Sequence, residues 1–230
     1  MKLKCVNQEM LKLIACVTML MDHLGAVFFW PQHWWLRAVG RIAFPIYCFL
    51  LAEGIYHTRN PKKYALRLFI GAVLAELPFD LLFFGRFTWA HQSVMVTLLL
   101  AFSYGMVQKK LETSGLKLLA VVPFMVLADF LHTDYGGWGV AMTALFVLTR
   151  ESRYAMAYRV LGMLLINYMI GGIPVPIGFL MIPIQMLALG ALVPIGLYSG
   201  EKATKNVWVQ RVFYLFYPVH LAVLLIGSMI

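Results

Sequence analysis

The amino-acid sequence predicts an all-α, polytopic membrane protein with about nine transmembrane helices. Hydrophobic residues make up 62% of the chain and charged residues only 13%, against roughly 45–50% and about 25% in soluble domains. Apolar runs recur along the whole length, and short loops rich in lysine and arginine separate them. We therefore expect one transmembrane helical domain over residues 1–230.

The individual spans follow from the length that a bilayer demands. A helix needs about 20 apolar residues to cross the hydrocarbon core, with a range of roughly 17–25. On this criterion the spans are predicted near residues 11–30, 41–57, 65–85, 91–108, 116–132, 136–149, 154–171, 176–198 and 212–229. The fifth and sixth are short and close together, so they are either two full spans or one hairpin that dips part-way. Residues 171–176 are predicted to form a tight external turn.

The distribution of basic residues predicts the orientation. All of the 19 lysines and arginines except Arg37, Arg41 and Arg86 fall in alternate flanks of the predicted spans. Because cytoplasmic loops carry the excess of Lys and Arg, we expect a cytoplasmic N-terminus, nine crossings and an external C-terminus. The net charge of +9 then reflects orientation, and no nucleic-acid partner is expected.

Three further features are not expected: a cleaved signal peptide, disulfide bonds and a metal site. The first apolar run is long, lacks a small-residue cleavage site and is followed by further spans, so we expect no cleaved signal peptide. The three cysteines, Cys5, Cys16 and Cys48, show no disulfide framework. No metal site is expected, because the helical histidines lack the i, i+3 or i, i+4 spacing of a two-histidine site.

The pair Asp22 and His23 is the most informative feature of the first predicted helix. An ionisable group at the bilayer centre costs about 2.5–3.5 kcal/mol on insertion scales. Neighbouring helical residues point about 100° apart, so Asp22 and His23 cannot both avoid the protein interior cheaply. At least one of them is predicted to line an internal site.

Two other helices place ionisable groups at a similar depth. Asp22 lies ten residues, and Glu76 and His220 nine residues, beyond a basic residue at the cytoplasmic edge. At about 1.5 Å per residue these intervals are roughly 13–15 Å, about half of a core about 30 Å thick. The coincidence predicts one central site.

Structural alternatives exist for several of these residues. Glu76 and Asp80, which share a helix face at i, i+4, could pair with Arg41 as structural links between helices. Asp22 could pair with Arg41 as well. In that case His23 could face away from the site, and His57 or His220 would be the base.

Several segments of the chain resemble the TraX family of F-pilin acetylase-like integral-membrane acyltransferases. They are MDHLGAVFF, LRAVGRIAFPIYCFLLAEGIYHTRNPKKYALRL, AELPFDLLF, ADFLHTDYGGWGV and FYLFYPVHL. They follow one another in order over nearly the whole chain. TraX proteins are in turn distantly similar to the acyltransferase-three and heparan-glucosaminide acetyltransferase-like group.

The resemblance implies transfer of an acetyl group from cytosolic acetyl-coenzyme A to an amine or hydroxyl. It also implies a bacterial cytoplasmic (inner) membrane location. The acceptor would lie at the outer side of the membrane, either a protein N-terminus such as that of pilin or a cell-envelope glycan. Acetyl-coenzyme A, the lipid bilayer and this acceptor are the expected partners, and no metal is implied.

Roles for individual residues combine these motifs with the depth estimates. His23 is the candidate general base, oriented by a carboxylate of Asp22, Glu76 or Asp80. The oxyanion donors would come from Arg41 or a helix N-terminus. The residues expected to hold the donor are Arg37, Glu53, His57, Arg59, Asn60, Lys62, Lys63 and Arg67. Those expected to bind the acceptor are His91, Asp134, Tyr135 and His220.

A proton-coupled transporter or exporter is the alternative class, since intramembrane carboxylates and histidines also build proton relays. The sequence shows no internal repeat of the kind that many transporters carry. The basic segment His57–Lys63 also favours the transferase.

Overall fold

Helix α3 (Ala43–His57) occupies the centre of the fold, where most of its residues are buried. The computed structural model describes residues 4–201 and 207–230, and within the second range the side chains of residue 210 and of 212–230. The remaining α-helices are α1 (Gln8–Phe28), α2 (Trp34–Gly40), α4 (Pro61–Phe84), α5 (Val94–Gln108), α6 (Ser114–Leu119), α7 (Val121–Phe130), α8 (Gly136–Leu148), α9 (Ala155–Ile170), α10 (Leu192–Gly196) and α11 (Val207–Ser228). A hairpin of β1 (Pro174–Ile177) and β2 (Leu180–Pro183) and a 3₁₀-helix (Ile184–Ala191) separate α9 from α10.

Helix α3 is surrounded by α1, α5, α8 and the 3₁₀-helix, and its buried residues belong to the main hydrophobic core. A second group of contacts joins the ends of the chain, because α11 packs against both α4 and α1. Helices α1, α3, α4 and α11 therefore enclose a common interior space.

The outward faces of several helices are apolar and exposed. On α4 the exposed large side chains recur at helical spacing: Leu66, Phe69, Ile70, Val73, Leu74 and Leu77. On α11 the corresponding residues are Val212, Leu215, Val219, Val223 and Ile226. A soluble monomer rarely exposes apolar stripes of this extent.

Backbone contacts between loops divide the structure into two ends. At one end, Val6 pairs with Tyr198 in an isolated bridge. The Lys109 ammonium at this end also donates to the carbonyl of Ile55. At the other end, Gln92 pairs with Thr133. Each end thus gathers loops that the basic-residue pattern predicts to be on the same side of a membrane.

The mostly helical prediction is confirmed, but the predicted span at 176–198 is wrong. Its first part is the β-hairpin, in which Val175 pairs with Ile182. Pro174, Pro176 and Pro183 cannot donate a backbone hydrogen bond to a helix, and Gly178 has a φ of 61° at the turn. The all-α prediction therefore missed a two-stranded hairpin, and the helical part begins only at Ile184.

The predicted span at 116–132 is also interrupted. Helix α6 ends at Leu119 and α7 begins at Val121. The break follows from Pro123, which has no N–H to donate to the carbonyl of Leu119. Helix α2 was not predicted from the sequence. It precedes α3 with a break of two residues. The other predicted spans correspond to helices whose ends differ by a few residues.

The described part of the chain contains two helical stretches that are long and apolar enough to cross a membrane. They are Gln8–Phe28 and Trp34–His57, and five shorter apolar helices accompany them. Nine crossings and the predicted orientation are therefore not established by helix length. Lys2, Lys202 and Lys205, which enter the basic-residue pattern, and the side chain of Arg211 lie outside the described residues.

Candidate functional site

A cavity of about 1000 Å³ runs through the space between α1, α3, α4 and α11. Lys12 and Asp22 both line it and lie about 15 Å apart along α1. On α3 the lining extends from Ala43 to His57, and α3 is antiparallel to α1. The cavity therefore reaches from one end of the bundle to beyond its middle. We call its two parts the basic end, near Lys12 and His57, and the histidine end, near Asp22 and His23.

A pair of imidazoles marks the histidine end. His23 Nδ1 on α1 lies 2.7 Å from His220 Nε2 on α11, and the two rings are nearly parallel, with centroids 4.9 Å apart. The ring of His23 also contacts the rings of Phe83 and Tyr217 edge-on. The two histidines that the depth estimates placed at one level are in direct contact.

The hydrogen-bond chain assigns the tautomers of this pair when both rings are neutral. His220 Nδ1 lies 2.8 Å from the carbonyl oxygen of Phe216, so Nδ1 carries the hydrogen and donates it. His220 Nε2 then holds a lone pair and accepts from His23 Nδ1–H. Consequently His23 Nε2 holds a lone pair, and among the described residues it has no hydrogen-bond partner. This assignment follows from the network and not from observed hydrogens.

Beside the histidines, Asp22 forms an ion pair with Arg41. The Nη2 group of Arg41 contacts Asp22 Oδ2, and its Nη1 group donates to the hydroxyl of Tyr135 at 3.3 Å. Its Nε donates to the carbonyl of Arg37 at 3.3 Å. A guanidinium has five N–H groups, so two remain for a ligand. The alternative pairing of Asp22 with Arg41 is therefore what the structure shows, yet His23 still lines the cavity.

Two glycines allow α1 and α2 to approach closely enough for this pair. A Cβ at Gly40 would lie 2.2 Å from the Cβ of Asp22, and a Cβ at Gly25 would lie 2.8 Å from that of Leu36. Real Cβ atoms do not approach other atoms so closely. The absence of a side chain at Gly40 therefore positions Asp22 against the residues that follow α2.

Three residues predicted to bind the acceptor also lie at the histidine end. His91, Asp134 and Tyr135 line the cavity, and the ring of Tyr135 stacks on Phe44 with centroids 3.8 Å apart. The ring of His91 packs against Phe79 and Phe84. His220, predicted to belong with them, contacts His23 instead.

The basic end carries several cations. Lys12, Arg59 and Arg67 line the cavity there. Arg67 lies 5.3 Å and 5.2 Å from the ring centroids of Tyr64 and Tyr214, and such cation–π contacts hold a guanidinium in place. This end of the cavity therefore offers positive charge beside aromatic surface.

Glu53 is the carboxylate among the described lining residues at the basic end, and it is already paired. Arg150 Nε donates to Glu53 Oε1 at 2.9 Å, and His57 Nε2 lies 3.5 Å from Glu53 Oε2. Arg150 Nη2 is also 3.2 Å from His57 Nε2. Glu53 thus contacts His57, and its charge is offset by Arg150.

Four residues predicted to hold the donor are placed differently. Asn60 caps α4, since its side chain accepts from the backbone N–H of Lys63 at 2.9 Å. Lys62 and Lys63 are exposed and are not among the residues lining the cavity. Arg37 lies at the histidine end, 3.6 Å from Asp22. Asn60, Lys62 and Lys63 therefore lie outside the cavity, and Arg37 lies at its other end.

The carboxylates of Glu76 and Asp80 bind backbone groups of the connection between α4 and α5. Neither residue lines the cavity. Asp80 Oδ2 accepts from the backbone N–H of Thr88 at 2.9 Å, and the Glu76 carboxylate accepts from that of Ser93 at 3.3 Å. Neither pairs with Arg41 or orients His23. Each carboxylate instead binds a backbone N–H of the connection that follows α4. The i, i+4 spacing places the two carboxylates on one helix face, but it does not show which part of the protein that face contacts.

Two side-chain contacts were not predicted from the sequence. Arg150 contacts Glu53 across 97 positions, and Gln185, in the 3₁₀-helix, donates to Asn167 Oδ1. No local spacing indicates either contact. Among the described residues, no group of three His, Cys, Asp or Glu side chains is arranged to hold a metal ion.

The fold and the cavity define a class: a helical bundle whose ionisable residues line one internal cavity. The chain belongs to the TraX family. The family model, described as TraX protein, matches residues 7–228, which confirms the resemblance found in the motifs.

Three relatives show the range of similarity. The chain is 31% identical to the probable fimbrial assembly protein FimC, serogroup H1, of Dichelobacter nodosus, over 95% of this chain and 94% of that one. It is 26% identical to Protein TraX of Escherichia coli, over 95% and 86%. It is 33% identical to the uncharacterized protein RP591 of Rickettsia prowazekii (strain Madrid E), over 33% and 28%. No solved structure matches the chain.

Proposed function

We propose that the protein is an integral-membrane acetyltransferase that moves an acetyl group from cytosolic acetyl-coenzyme A to an amine or hydroxyl acceptor at the outer side of the bacterial inner membrane. The observation that carries the proposal is the single cavity that joins a cation-bearing end to the His23–His220 pair. Such a cavity would let the donor enter from the basic end and bring its thioester to the histidine end, where the acceptor would meet it. Membership of the TraX family supports the same reaction class.

Membrane embedding is supported by the outward apolar stripes of α4 and α11. Nine crossings remain compatible with the fold when the span predicted at 176–198 is replaced by Ile184–Gly196. Eight 3₁₀ residues and five α-helical residues extend roughly 23 Å at about 2.0 and 1.5 Å per residue. The β-hairpin then lies on the outer side, and Tyr198 meets Val6 on the cytoplasmic side.

The basic end suits the anionic part of the donor. Lys12, Arg59 and Arg67 would face phosphate groups, which guanidinium and ammonium groups bind through charge-assisted hydrogen bonds. Tyr64 and Tyr214 give flat apolar surface beside them. The cavity volume of about 1000 Å³ lies at the upper limit of typical small-molecule sites, which is appropriate for a bulky nucleotide thioester.

The histidine end suits the chemical step. His23 Nε2 takes the proton from the acceptor amine or hydroxyl as that atom attacks the acetyl carbonyl. The two remaining N–H groups of Arg41 face the developing oxyanion. When the carbon–sulfur bond breaks, the proton held by His23 passes to the leaving thiolate, so the enzyme returns to its starting state. His220 acts through His23, because it fixes the tautomer that exposes the Nε2 lone pair.

The proposal is tested with purified full-length protein, labelled acetyl-coenzyme A, and two acceptors: a peptide with a free N-terminal amine and a cell-envelope glycan. We expect acceptor-dependent release of coenzyme A, reduced by about 10²–10⁴-fold in His23→Ala at unchanged coenzyme A binding. The matched control is His33→Ala, which removes a histidine that does not line the cavity. Proton-coupled solute flux without coenzyme A binding would identify a transporter and refute the proposal.

A further inference from the structure

A second cavity of about 230 Å³ adjoins the histidine end. Arg37, Arg41, Asp134 and Tyr135 line both cavities and therefore form the partition between them. Trp30 and Gln185 lie on the far side of this partition. We call this space the outer pocket, because its loops are those predicted to be external.

Arg37 is the incompletely paired cation of the outer pocket. Its Nε atom is buried and makes no hydrogen bond within the described part of the chain. The nearest carboxylate oxygen, Asp22 Oδ1, is 3.6 Å away, which is beyond a good hydrogen bond, while Asp22 Oδ2 is taken by Arg41. Asp22 therefore offsets the charge of Arg37 only in part. The Arg37 side chain is 29% exposed and lines the pocket, so a ligand there that supplies acceptor oxygens would complete its pairing.

The surroundings of Arg37 limit the shape of such a ligand. The guanidinium carbon lies 5.6 Å from the ring centroid of Trp30, which covers one face and leaves the edge with its N–H groups for a ligand. Gln185, only 2% exposed, lines the same pocket and is held in place by donating to Asn167 Oδ1 at 3.2 Å. A planar guanidinium edge matches a carboxylate or phosphate in bidentate geometry.

We infer that the outer pocket binds an oxyanion, a carboxylate or a phosphate, carried by the acceptor next to its reacting amine or hydroxyl. The occupant's identity as acceptor depends on the proposed function, but its anionic chemistry does not. Arg37, predicted from the sequence to hold the donor, is thereby assigned to the acceptor. The oxyanion comes either from a soluble molecule or from a lipid headgroup, and separate arms of one experiment distinguish these sources.

The experiment measures the thermal midpoint of the full-length protein with matched probe pairs. The soluble arm compares D-glucuronate with D-glucose, and the lipid arm compares phosphatidylcholine nanodiscs with and without phosphatidate. We expect the anionic member of at least one pair to raise the midpoint and its neutral partner to have no effect. In Arg37→Gln the apparent affinity should fall about ten-fold or more, and Arg37→Lys should retain part of it.

Arg86→Gln is the matched control, because it removes an exposed arginine from the loop after α4 that lines neither cavity, so the effect of the anion should be unchanged. The inference is overturned if neither anion exceeds its neutral partner, or if Arg37→Gln responds as the unsubstituted protein does. Coenzyme A binding is measured in the same samples. Anion binding without acetyl transfer would refute the proposed function and keep the pocket, and transfer without anion binding would do the reverse.

Discussion

At the residue scale, His220 and His23 make different hydrogen bonds although both side chains are imidazoles. His220 donates to a carbonyl of its own helix and accepts from His23. In the proposed mechanism it therefore acts on the acceptor only through His23. This arrangement resembles the way in which a carboxylate orients the histidine of a hydrolase triad, with a backbone carbonyl as the final acceptor.

His220→Leu and His220→Gln should consequently differ in activity. The Gln side chain offers a carbonyl oxygen that can accept from His23 Nδ1–H, whereas Leu cannot. We expect kcat to fall at least about ten-fold in His220→Leu and to recover partly in His220→Gln, with coenzyme A affinity unchanged in both. Equal loss in the two variants would contradict the positioning role, and steady-state kinetics with acceptor titration make the measurement.

Gly40→Ala should destabilise the protein. The new Cβ would meet the Cβ and the backbone of Asp22 at 2.2 and 2.7 Å, so α1 and the residues after α2 must move apart. Overpacking of this kind costs about 1–3 kcal/mol. Thermal unfolding in detergent should show a lower midpoint.

Gly115→Ala is the control for this substitution. No atom lies within 4 Å of a Cβ at Gly115 in α6, and alanine favours a helix over glycine by up to about 1 kcal/mol. Its midpoint should be unchanged or slightly higher. A Gly40→Ala midpoint as high as that of Gly115→Ala would show that the close approach of Asp22 is not needed.

Asp22 and His23 were the sequence-based candidates at the histidine end, and one of their two contacts was anticipated. Asp22 and His23 stood out because ionisable groups in an apolar helix are costly. The pairing of Asp22 with Arg41 was one of the structural alternatives, whereas His220 was a candidate without a predicted contact to His23, since 197 positions separate the two histidines. Distance along the chain carries no information on such a contact, so tertiary packing had to supply it.

At the element scale, the start of α4 is determined by Asn60. Its side chain accepts from Lys63 N–H, and Pro61 occupies the first turn, where proline is well tolerated. The segment that the motif analysis predicted to hold phosphates is thus in part a helix-capping structure. Arg59 and Arg67, on either side of it, remain at the cavity.

Variants of Asn60 separate these two roles. Asn60→Ala should lower the unfolding free energy by about 1 kcal/mol through loss of the cap, while Asn60→Ser, which keeps a capping oxygen, should lower it less. Coenzyme A affinity, measured by titration calorimetry, should be the same in both variants as in the unsubstituted protein. A ten-fold loss of affinity in Asn60→Ser would instead place Asn60 at the donor.

Apolar composition alone did not distinguish a helix from a hairpin in residues 174–183. The segment is as hydrophobic as a membrane span. The ring of Phe179 at its turn is exposed, which is typical of a segment that an apolar environment surrounds. The prolines were the available signal, because alternate prolines fit a two-stranded pairing and cannot continue a helix. Hydropathy outweighed them in the prediction.

At the scale of the whole molecule, the contacts between loops agree with the sorting by basic residues. Residues 6–8 meet residues 197–201, and Glu53 meets Arg150, all at the end predicted to be cytoplasmic. Trp30, Asp134 and Gly172 meet at the other end, around the outer pocket. Composition was sufficient to predict the helical class and, through charge, which loops would gather together.

The orientation can be tested with one added cysteine and one native cysteine. A cysteine placed after Ile230 in a Cys5→Ser background should react with a membrane-impermeant maleimide in intact spheroplasts. Cys5, which is exposed and predicted to be cytoplasmic, should react in the unsubstituted chain only after permeabilisation. Protection of the C-terminal cysteine in intact spheroplasts would contradict nine crossings with an external C-terminus.

The contact between the first and last helices has a consequence for biosynthesis. Translation at about 5–20 residues per second separates the emergence of His23 from that of His220, 197 positions later, by about 10–40 s. During that interval the nascent chain contains Asp22 and His23 but not yet α11, which forms one wall of the cavity around them. A ribosome-bound chain that stops before Val207 should therefore leave the site accessible from the side, and only release of the finished polypeptide closes it.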